Sequence, residues 1–335
     1  MLRIMLRWAF IALALLPAAA LAEPIKLKLS FFSSDREMVY VELIKPFLDA
    51  VNIGAKGVLE IEPYTGGKLG RPLARQVQMV RFGVADIAFV NPNLSTDLFP
   101  DDVIMQMPGL FNNSREATIA YTRLATSGAL DGYEDFFVIS AIAVLPVVIS
   151  SRAPIASLDD LKGKKVRMTG AIEGAIFNTL GMVPVQVPFN EVSSAISSGT
   201  IDAAAISLGA LFDFGISRVT SYHYFAPLGA VPLTVLMNRK KFDSLPAAAQ
   251  GVIRKYSGEW LADRYIEAEE KNNLARMEQI KSDPARKAIF PTQWEIDAIR
   301  AASKLEMKEW VARRPHNSVV RDLLQKEIAK TPSIH

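Results

Sequence analysis

Two stretches of this chain repeat the same strand–helix–strand–helix–strand rhythm, and no other feature restricts its fold as much. In the first, Ile25–Phe32 alternates lysine with apolar residues, the period of a half-buried strand. A helix is expected over Glu37–Val51 and a strand over Val58–Tyr64. The turn Thr65–Gly70 then leads into Pro72, suited to the first turn of a helix running to Phe82. Gly83 stops that helix, and Ala85–Val90 reads as a short buried strand. In the second stretch, Ser157-Leu158-Asp159-Asp160 opens a short helix as an S-x-x-D cap, closed by Gly163. Lys164–Met168 is a strand, Ile172–Leu180 a helix stopped by Gly181, and Val183–Val187 the next strand. Asn190 caps a helix to about Ser197, and Thr200–Ile206 is the third strand. Strands alternating with short helices imply parallel sheets with crossover connections.

After Pro232 the rhythm changes. Leu233–Met237 reads as one more strand, Pro246 begins a long helical run from Ala247 to Ile280, and Trp294–Ala312 adds another helix. The segments Ala143–Pro146 and Gly229–Pro232 are where the chain would cross between two lobes. The reading is therefore an α/β fold in two lobes, with parallel or mixed sheets, flanking helices and a long C-terminal helix spanning both.

The first 22 residues stand apart. Arg3 and Arg7 precede the apolar run Trp8–Leu16, followed by Pro17 and the small-residue end Ala20-Leu21-Ala22, the pattern of a cleavable secretory signal. Export to the periplasm with cleavage after Ala22 is expected, and no later run is long and apolar enough to span a bilayer. Losing two arginines leaves 36 Lys+Arg against 35 Asp+Glu, so there is no electrostatic case for nucleic acid or an anionic membrane surface. Cysteine is absent, which excludes thiol catalysis, thiolate zinc sites and iron–sulfur clusters. The three histidines, His223, His316 and His335, are too scattered for a His-rich metal site. No G-x-S-x-G, H-E-x-x-H, P-loop or dinucleotide fingerprint occurs, so neither an enzyme nor a bound cofactor is indicated.

Open parallel sheets bind ligands outside the carboxyl ends of their strands. In the first half those ends are Phe31 and Phe32, Tyr64, and Asn91 with Asn93. In the second half they are Arg167 and Met168, Pro188 and Phe189, and Ser207. Two such edges face to face make a cleft with one cation, several aromatic faces and a few amide or hydroxyl groups. That chemistry suits a carboxylate with an apolar or hydroxylated body.

Three segments in order resemble the substrate-binding proteins of tripartite ATP-independent periplasmic (TRAP) transporters. Tyr64-Thr65-Gly66-Gly67-Lys68-Leu69-Gly70, with Gln76–Asp86, is similar to the family's "G-G-x-L-G … G-x-x-D". Leu158–Arg167 resembles "D-L-K-G-x-K-x-R". Gly181–Asp202 resembles the family segment that begins "G-x-x-P" and ends "G-x-x-D". The resemblance implies a type II-like periplasmic binding protein that closes by hinge motion around a small organic acid. It also implies delivery of that acid to TRAP membrane subunits. Lobe I would comprise residues 23–143 with 232–270, lobe II residues 144–231 with 271–335, and a monomer is the default. It further implies that Arg167 holds the ligand carboxylate, for which guanidinium offers two parallel donors that lysine lacks. Phe189, in the family's "P-F-x-E" position, and Phe32 are candidate packing surfaces for the ligand, each with core burial as the alternative. Asn91, Ser207 and Asn93 are candidate donors. Arg71 could reach a second anionic group or face solvent. Met168 and Phe212 complete the candidates.

The departures narrow the ligand. Where many relatives carry "D-G-x-E-N-P", this chain reads Asp202–Ser207, with Ile206 in place of the asparagine. The strand bearing a second arginine in some acid-sugar binders reads Leu145-Pro146-Val147 here. A monocarboxylate with an apolar or aromatic body is the expectation. Two related roles share the two-lobe plan: receptor for an ATP-driven importer, and extracytoplasmic sensor.

Overall fold

A computed structural model describes residues 23–331. The leader and its cleavage point after Ala22 lie outside the described residues. The chain builds β1 (Ile25–Ser30), a π-helical turn at Tyr40–Ile44 running into α1 (Lys45–Gly54), β2 (Leu59–Tyr64), α2 (Gln76–Arg81) and β3 (Ile87–Val90). These match the first expected βαβαβ stretch. There follow α3 (Ser114–Ser127) and β4 (Phe136–Val144), then β5 (Val147–Ser151). The second stretch supplies β6 (Lys165–Met168), α4 (Ala171–Thr179), β7 (Val183–Gln186), α5 (Val192–Ser198) and β8 (Ala203–Ser207). Then come α6 (Leu208–Asp213), β9 (Tyr222–Tyr224), β10 (Val231–Asn238), α7 (Arg239–Asp243), α8 (Ala247–Lys255), α9 (Glu259–Ser282), β11 (Lys287–Ile289), α10 (Gln293–Arg313) and α11 (Pro315–Lys330).

The strands form two mixed sheets, ordered β2-β1-β3-β10-β4 and β11-β9-β5-β8-β6-β7. In each, the βαβαβ strands are parallel and the crossing strands antiparallel: β10 against β3 and β4, β5 against β8 and β9. The chain passes between sheets from β4 to β5 and from β9 to β10. Both passages emerge at one rim, because Val144 pairs with Val231 in the first sheet and Val147 with Ser207 in the second. Both sheets therefore present their carboxyl-end edges to a shared cleft, the placement that parallel-sheet physics favours for a ligand.

Four expectations need correction. The helical run Ala247–Ile280 is two helices, because Gly258 takes φ +65° and donates its N–H to the Ile139 carbonyl at 2.9 Å, turning the chain at β4. Asn190 makes no capping bond; a 3₁₀ turn at Phe189–Glu191 precedes α5 instead. Ser157 caps no helix: Asp160 gathers the Ala156 and Ser157 N–H groups around a single 3₁₀ turn, Asp159–Leu161. Residues 271–335 do not all belong with the second sheet. β11 joins it, but α11 buries Val320 and Leu324 in the same core cluster as Tyr121 and Leu124 of α3.

Helix α9 is the common beam. Its 24 residues span about 36 Å. Residues in its first half, Leu261 and Tyr265, join the core beneath the first sheet, while Ile280 near its end joins the second-sheet core. It also fastens the first crossing segment: Glu269 accepts the Leu145 N–H at 3.1 Å, and Asn273 donates to the Leu145 carbonyl at 2.7 Å. At the start of α10, Thr292 and Glu295 form a capping box, and Glu295 also accepts the Leu158 N–H at 2.6 Å.

Candidate functional site

The cleft between the sheets holds a cavity of about 90 Å³, roughly six times what one buried water needs. Its walls come from the strand ends. Phe31 and Phe32 follow β1, Phe89 and Asn91 end β3, and Arg167 and Thr169 end β6. Ile206 and Ser207 end β8, and Phe189 follows β7. Val144, Val231 and Leu233 line it from the crossing strands, and Tyr265, Glu269 and Asn273 from α9.

Arg167 carries the charge. Its position in β6 points the side chain into the cleft, where it is only 4% exposed. Three bonds aim it: Nε donates to the Val187 carbonyl at 3.4 Å, and Nη1 to the Ala205 carbonyl at 3.0 Å and to Thr169 Oγ1 at 3.2 Å. Its carbon lies 5.4 Å from the Phe189 ring centroid. Among the described residues no carboxylate lies within ion-pair distance of it, and Nη2 has no protein partner. Desolvation pulls the Arg167 pKa down, and the charge of Glu173 opposes that only in part. Glu173 itself stays beyond ion-pair distance and accepts the Thr169 N–H. A buried cation without a counter-ion is costly, and an anion entering the cavity would relieve that cost.

Aromatic rings surround this charge. Phe32 stacks on Phe89 (6.2 Å, 12°) from its own sheet and on Phe214 (6.3 Å, 9°) from the opposite one. Phe214 meets Phe189 edge-on at 4.4 Å, and Phe31 packs edge-on against Phe89 at 5.5 Å. The Phe32–Phe214 stack therefore joins the lobes beside the cavity. Asp213 adds a second bridge, accepting the Met38 N–H at 3.3 Å while pairing with Arg276 at 3.6 Å.

Five of the nine predicted residues converge here: Arg167, Phe189, Phe32, Asn91 and Ser207. The other four do not line the cavity. Asn93 is buried one turn beyond Asn91, whose side chain accepts its N–H at 3.0 Å. Met168 follows Arg167 by one residue in the strand, so it points to the opposite face and packs on the second-sheet core. Phe212 lies between the Arg276 and Arg286 guanidinium groups. Arg71 is exposed to solvent on the outer turn.

Sequence reasoning missed the acidic lining. Burial raises Glu37 to about 7 and Glu269 to about 8, and raises Asp213 as well. It missed Phe214 too. The aromatic character of 212–214 was the available signal, read two residues too early at Phe212.

A three-ligand cluster elsewhere, Asp101, Asp131 and His316, has its ligand atoms within 4.8 Å of one another. Arg314 already pairs with both carboxylates, so this is an ion-pair network that pins the start of α11.

The buried acids make a stability prediction. Asp102, which accepts the Tyr121 and Tyr133 hydroxyls, is raised by burial to about 7, like Glu37. These groups cost the fold nothing while protonated. The cost grows as pH rises from the unfolded carboxyl range through 7 and 8. His223 works in the opposite sense: burial lowers it to about 4, so below its ordinary 6.5 the unfolded chain takes up a proton that the fold refuses. Above about pH 6.5 His223 is largely neutral in both states, so the melting temperature is expected to fall between about pH 6.5 and 8.5 as the acids ionise. A series of melts that peaks at pH 8 or above would contradict these assignments.

Comparison with known proteins gives the following. Residues 30–314 match the family model described as bacterial extracellular solute-binding protein, family 7. The 2,3-diketo-L-gulonate-binding periplasmic protein YiaO of Escherichia coli (strain K12) is 25% identical over 240 residues, covering 69% of this chain and 71% of that one. Among solved structures, a marine metagenome TRAP solute-binding protein specific for aromatic acid ligands, in complex with 3-hydroxybenzoate, superposes with TM-score 0.86 at 21% identity. The match covers 93% of this chain and 100% of that one. A TRAP solute-binding protein of Rhodoferax ferrireducens T118, with copurified benzoate, gives 0.84 at 21% identity, covering 92% and 98%.

Proposed function

Since the chain belongs to family 7 of the bacterial extracellular solute-binding proteins, a family of receptors rather than enzymes, we propose that its ligand is an organic monocarboxylate with an apolar or aromatic body. It works as the periplasmic receptor of a TRAP transporter, in concert with membrane subunits.

The observation that carries the ligand class is the buried guanidinium of Arg167, with no carboxylate partner, at a cavity walled by Phe31, Phe32, Phe89, Phe189 and Phe214. An anionic head answers the unpaired charge, and an apolar body answers the rings. The solved relatives with 3-hydroxybenzoate and benzoate support the same reading. Against a dianion stand the acids Glu37 and Asp213, in a lining where Arg167 is the only cation among the described residues. A second carboxylate would meet like charge or unsatisfied hydrocarbon. Phe189, Phe32, Asn91 and Ser207 complete the proposed contact set.

The two lobes move as the two sheets with their own helices, with α11 riding on the first. Ligand binds the closed arrangement better and shifts the population toward it. Phe32–Phe214 and Met38–Asp213 are the contacts that would open.

Calorimetric titration of the protein lacking residues 1–22 is expected to give tighter binding for benzoate or phenylacetate than for succinate, by about 100-fold or more, because juxtaposed like charges cost several kcal/mol. Equal or reversed affinity would overturn the monocarboxylate assignment.

A further inference from the structure

We propose that Glu269 is a second recognition group, whose Oε2 donates a hydrogen bond to an oxygen on the body of the ligand. The inference rests on the carboxylate reading above and specifies the ligand further: a monocarboxylate that carries a carbonyl, ether or hydroxyl oxygen away from its acid group.

Three observations lead to it. Glu269 lines the cavity and is 1% exposed. Its two oxygens are unequally served. Oε1 accepts both the Leu145 N–H at 3.1 Å and the Tyr265 hydroxyl at 2.9 Å, while Oε2 is buried and makes no hydrogen bond of ordinary geometry, the Ser114 hydroxyl standing near the carboxyl. Buried polar atoms in folded proteins are almost always satisfied, so one left over at a cavity calls for a partner from outside the chain. Finally, Glu269 makes no ion pair with Arg167 and does not perturb it, so the two groups address separate parts of whatever fills the space.

The same geometry decides which role Oε2 plays. Two donors already converge on Oε1, so the proton of a neutral carboxyl belongs on Oε2, which then offers O–H. The surroundings keep the group neutral. Ser114 from α3, the Leu145 N–H beyond β4 and Tyr265 from its own turn face it, Glu270 is adjacent, and Asp213 of α6 acts on Tyr265; none is a cation. Burial, opposed only by these hydrogen bonds, raises Glu269 to about 8. Above that value the donor becomes an anion that repels an acceptor oxygen.

The test compares isosteric pairs that exchange C=O for C=CH₂: 3-acetylbenzoate against 3-isopropenylbenzoate, and the flexible 4-oxopentanoate against 4-methylpent-4-enoate. Within a pair the carboxylate is common, so pH effects on Arg167 or Asp213 cancel in the ratio of dissociation constants. At pH 6.5 the wild type should favour the oxo member of at least one pair by about tenfold, the worth of a buried hydrogen bond. At pH 9.5 the preference should fall below about threefold as the donor ionises. Glu269→Gln keeps an acceptor for Leu145 and Tyr265 and a permanent N–H₂ donor, so it should show the oxo preference at both pH values. A merely structural role predicts no preference in either protein, and that result overturns the proposal. So does a Gln variant that loses its preference with pH as the wild type does, since Glu37 would then be the titrating group. If none of the four acids binds the wild type, the monocarboxylate reading falls and this inference with it; if all bind equally, only this inference falls.

Discussion

Replacing Arg167 by alanine is expected to weaken binding of a monocarboxylate by two to three orders of magnitude, while leaving the empty protein at least as stable as before. The two halves of that expectation have one cause. In the absence of an anion the guanidinium is buried with two backbone carbonyls and one hydroxyl for company and no counter-charge within ion-pair distance. Its desolvation is therefore a standing cost to the fold, which truncation removes. With an anion present the same charge forms a desolvated, charge-assisted hydrogen bond through Nη2, and truncation leaves the ligand's carboxylate stranded, a loss of about 2–5 kcal/mol. Arg167→Lys separates charge from geometry. The ammonium keeps the charge but cannot hold Val187 O, Ala205 O and a ligand oxygen at once, so an intermediate affinity is expected. Calorimetry on both variants, paired with thermal melts without ligand, reads the two effects separately. A variant that melts far below wild type and binds unchanged would show Arg167 to be a structural residue.

The second large effect lies where the chain returns from the second sheet to the first. Gly229→Ala is expected to lower the melting temperature by roughly 10 °C or to prevent folded protein from accumulating. A β-carbon built on Gly229 falls 2.1 Å from the carbonyl carbon and oxygen of Gln106 and 2.6 Å from its Cα. These are backbone atoms, so no side chain can swing away. The neighbouring Ala230 N–H donates to the Met105 carbonyl at 2.8 Å, so the segment is held where the clash occurs. Relief requires the 225–230 crossing to leave the 3₁₀ turn Asp102–Gln106. Gly251→Ala is the control. It sits in α8 with nothing within 4 Å, and there the methyl should stabilise by about 0.5–1 kcal/mol. If the Gly229 variant melts within 2 °C of wild type by circular dichroism, the close approach of these two segments is wrong.

Much of the fold was legible because local signals and tertiary roles coincide in the two βαβαβ stretches. Lysine alternation in β1 reports a strand with one solvated face, and Gly83, Gly163, Gly181 and Gly199 end their elements at positive φ as the pattern requires. What escaped has physical reasons. β4 is buried at all nine residues, so it shows no alternation, and its end was read as a linker. The break at Gly258 was hidden within good helix formers on either side. α11 depends on packing against α3 rather than on any periodic signal of its own.

The site was legible where it lies on strands. The carboxyl-end rule found Arg167, Phe32, Asn91, Ser207 and Phe189 without reference to side-chain contacts. It overreached at Met168, because adjacent strand residues face opposite ways, and at Asn93, because the turn beyond β3 curls it inward. It was silent on Glu269, since residues on a long helix that passes both lobes carry no sequence mark of which turn meets the cleft, and on Asp213, which ends the short helix α6 rather than a strand. Ile206 was foreseen as hydrocarbon where relatives present an amide, and it does line the cavity.

The most direct measurement is a crystal structure of the protein grown with a monocarboxylate such as 3-hydroxybenzoate. The account predicts a carboxylate oxygen within about 2.7–3.1 Å of Arg167 Nη2, with the ring lying among Phe32, Phe189 and Phe214. Density for the acid at the surface, or in the cleft with its carboxylate turned away from Arg167, would contradict it.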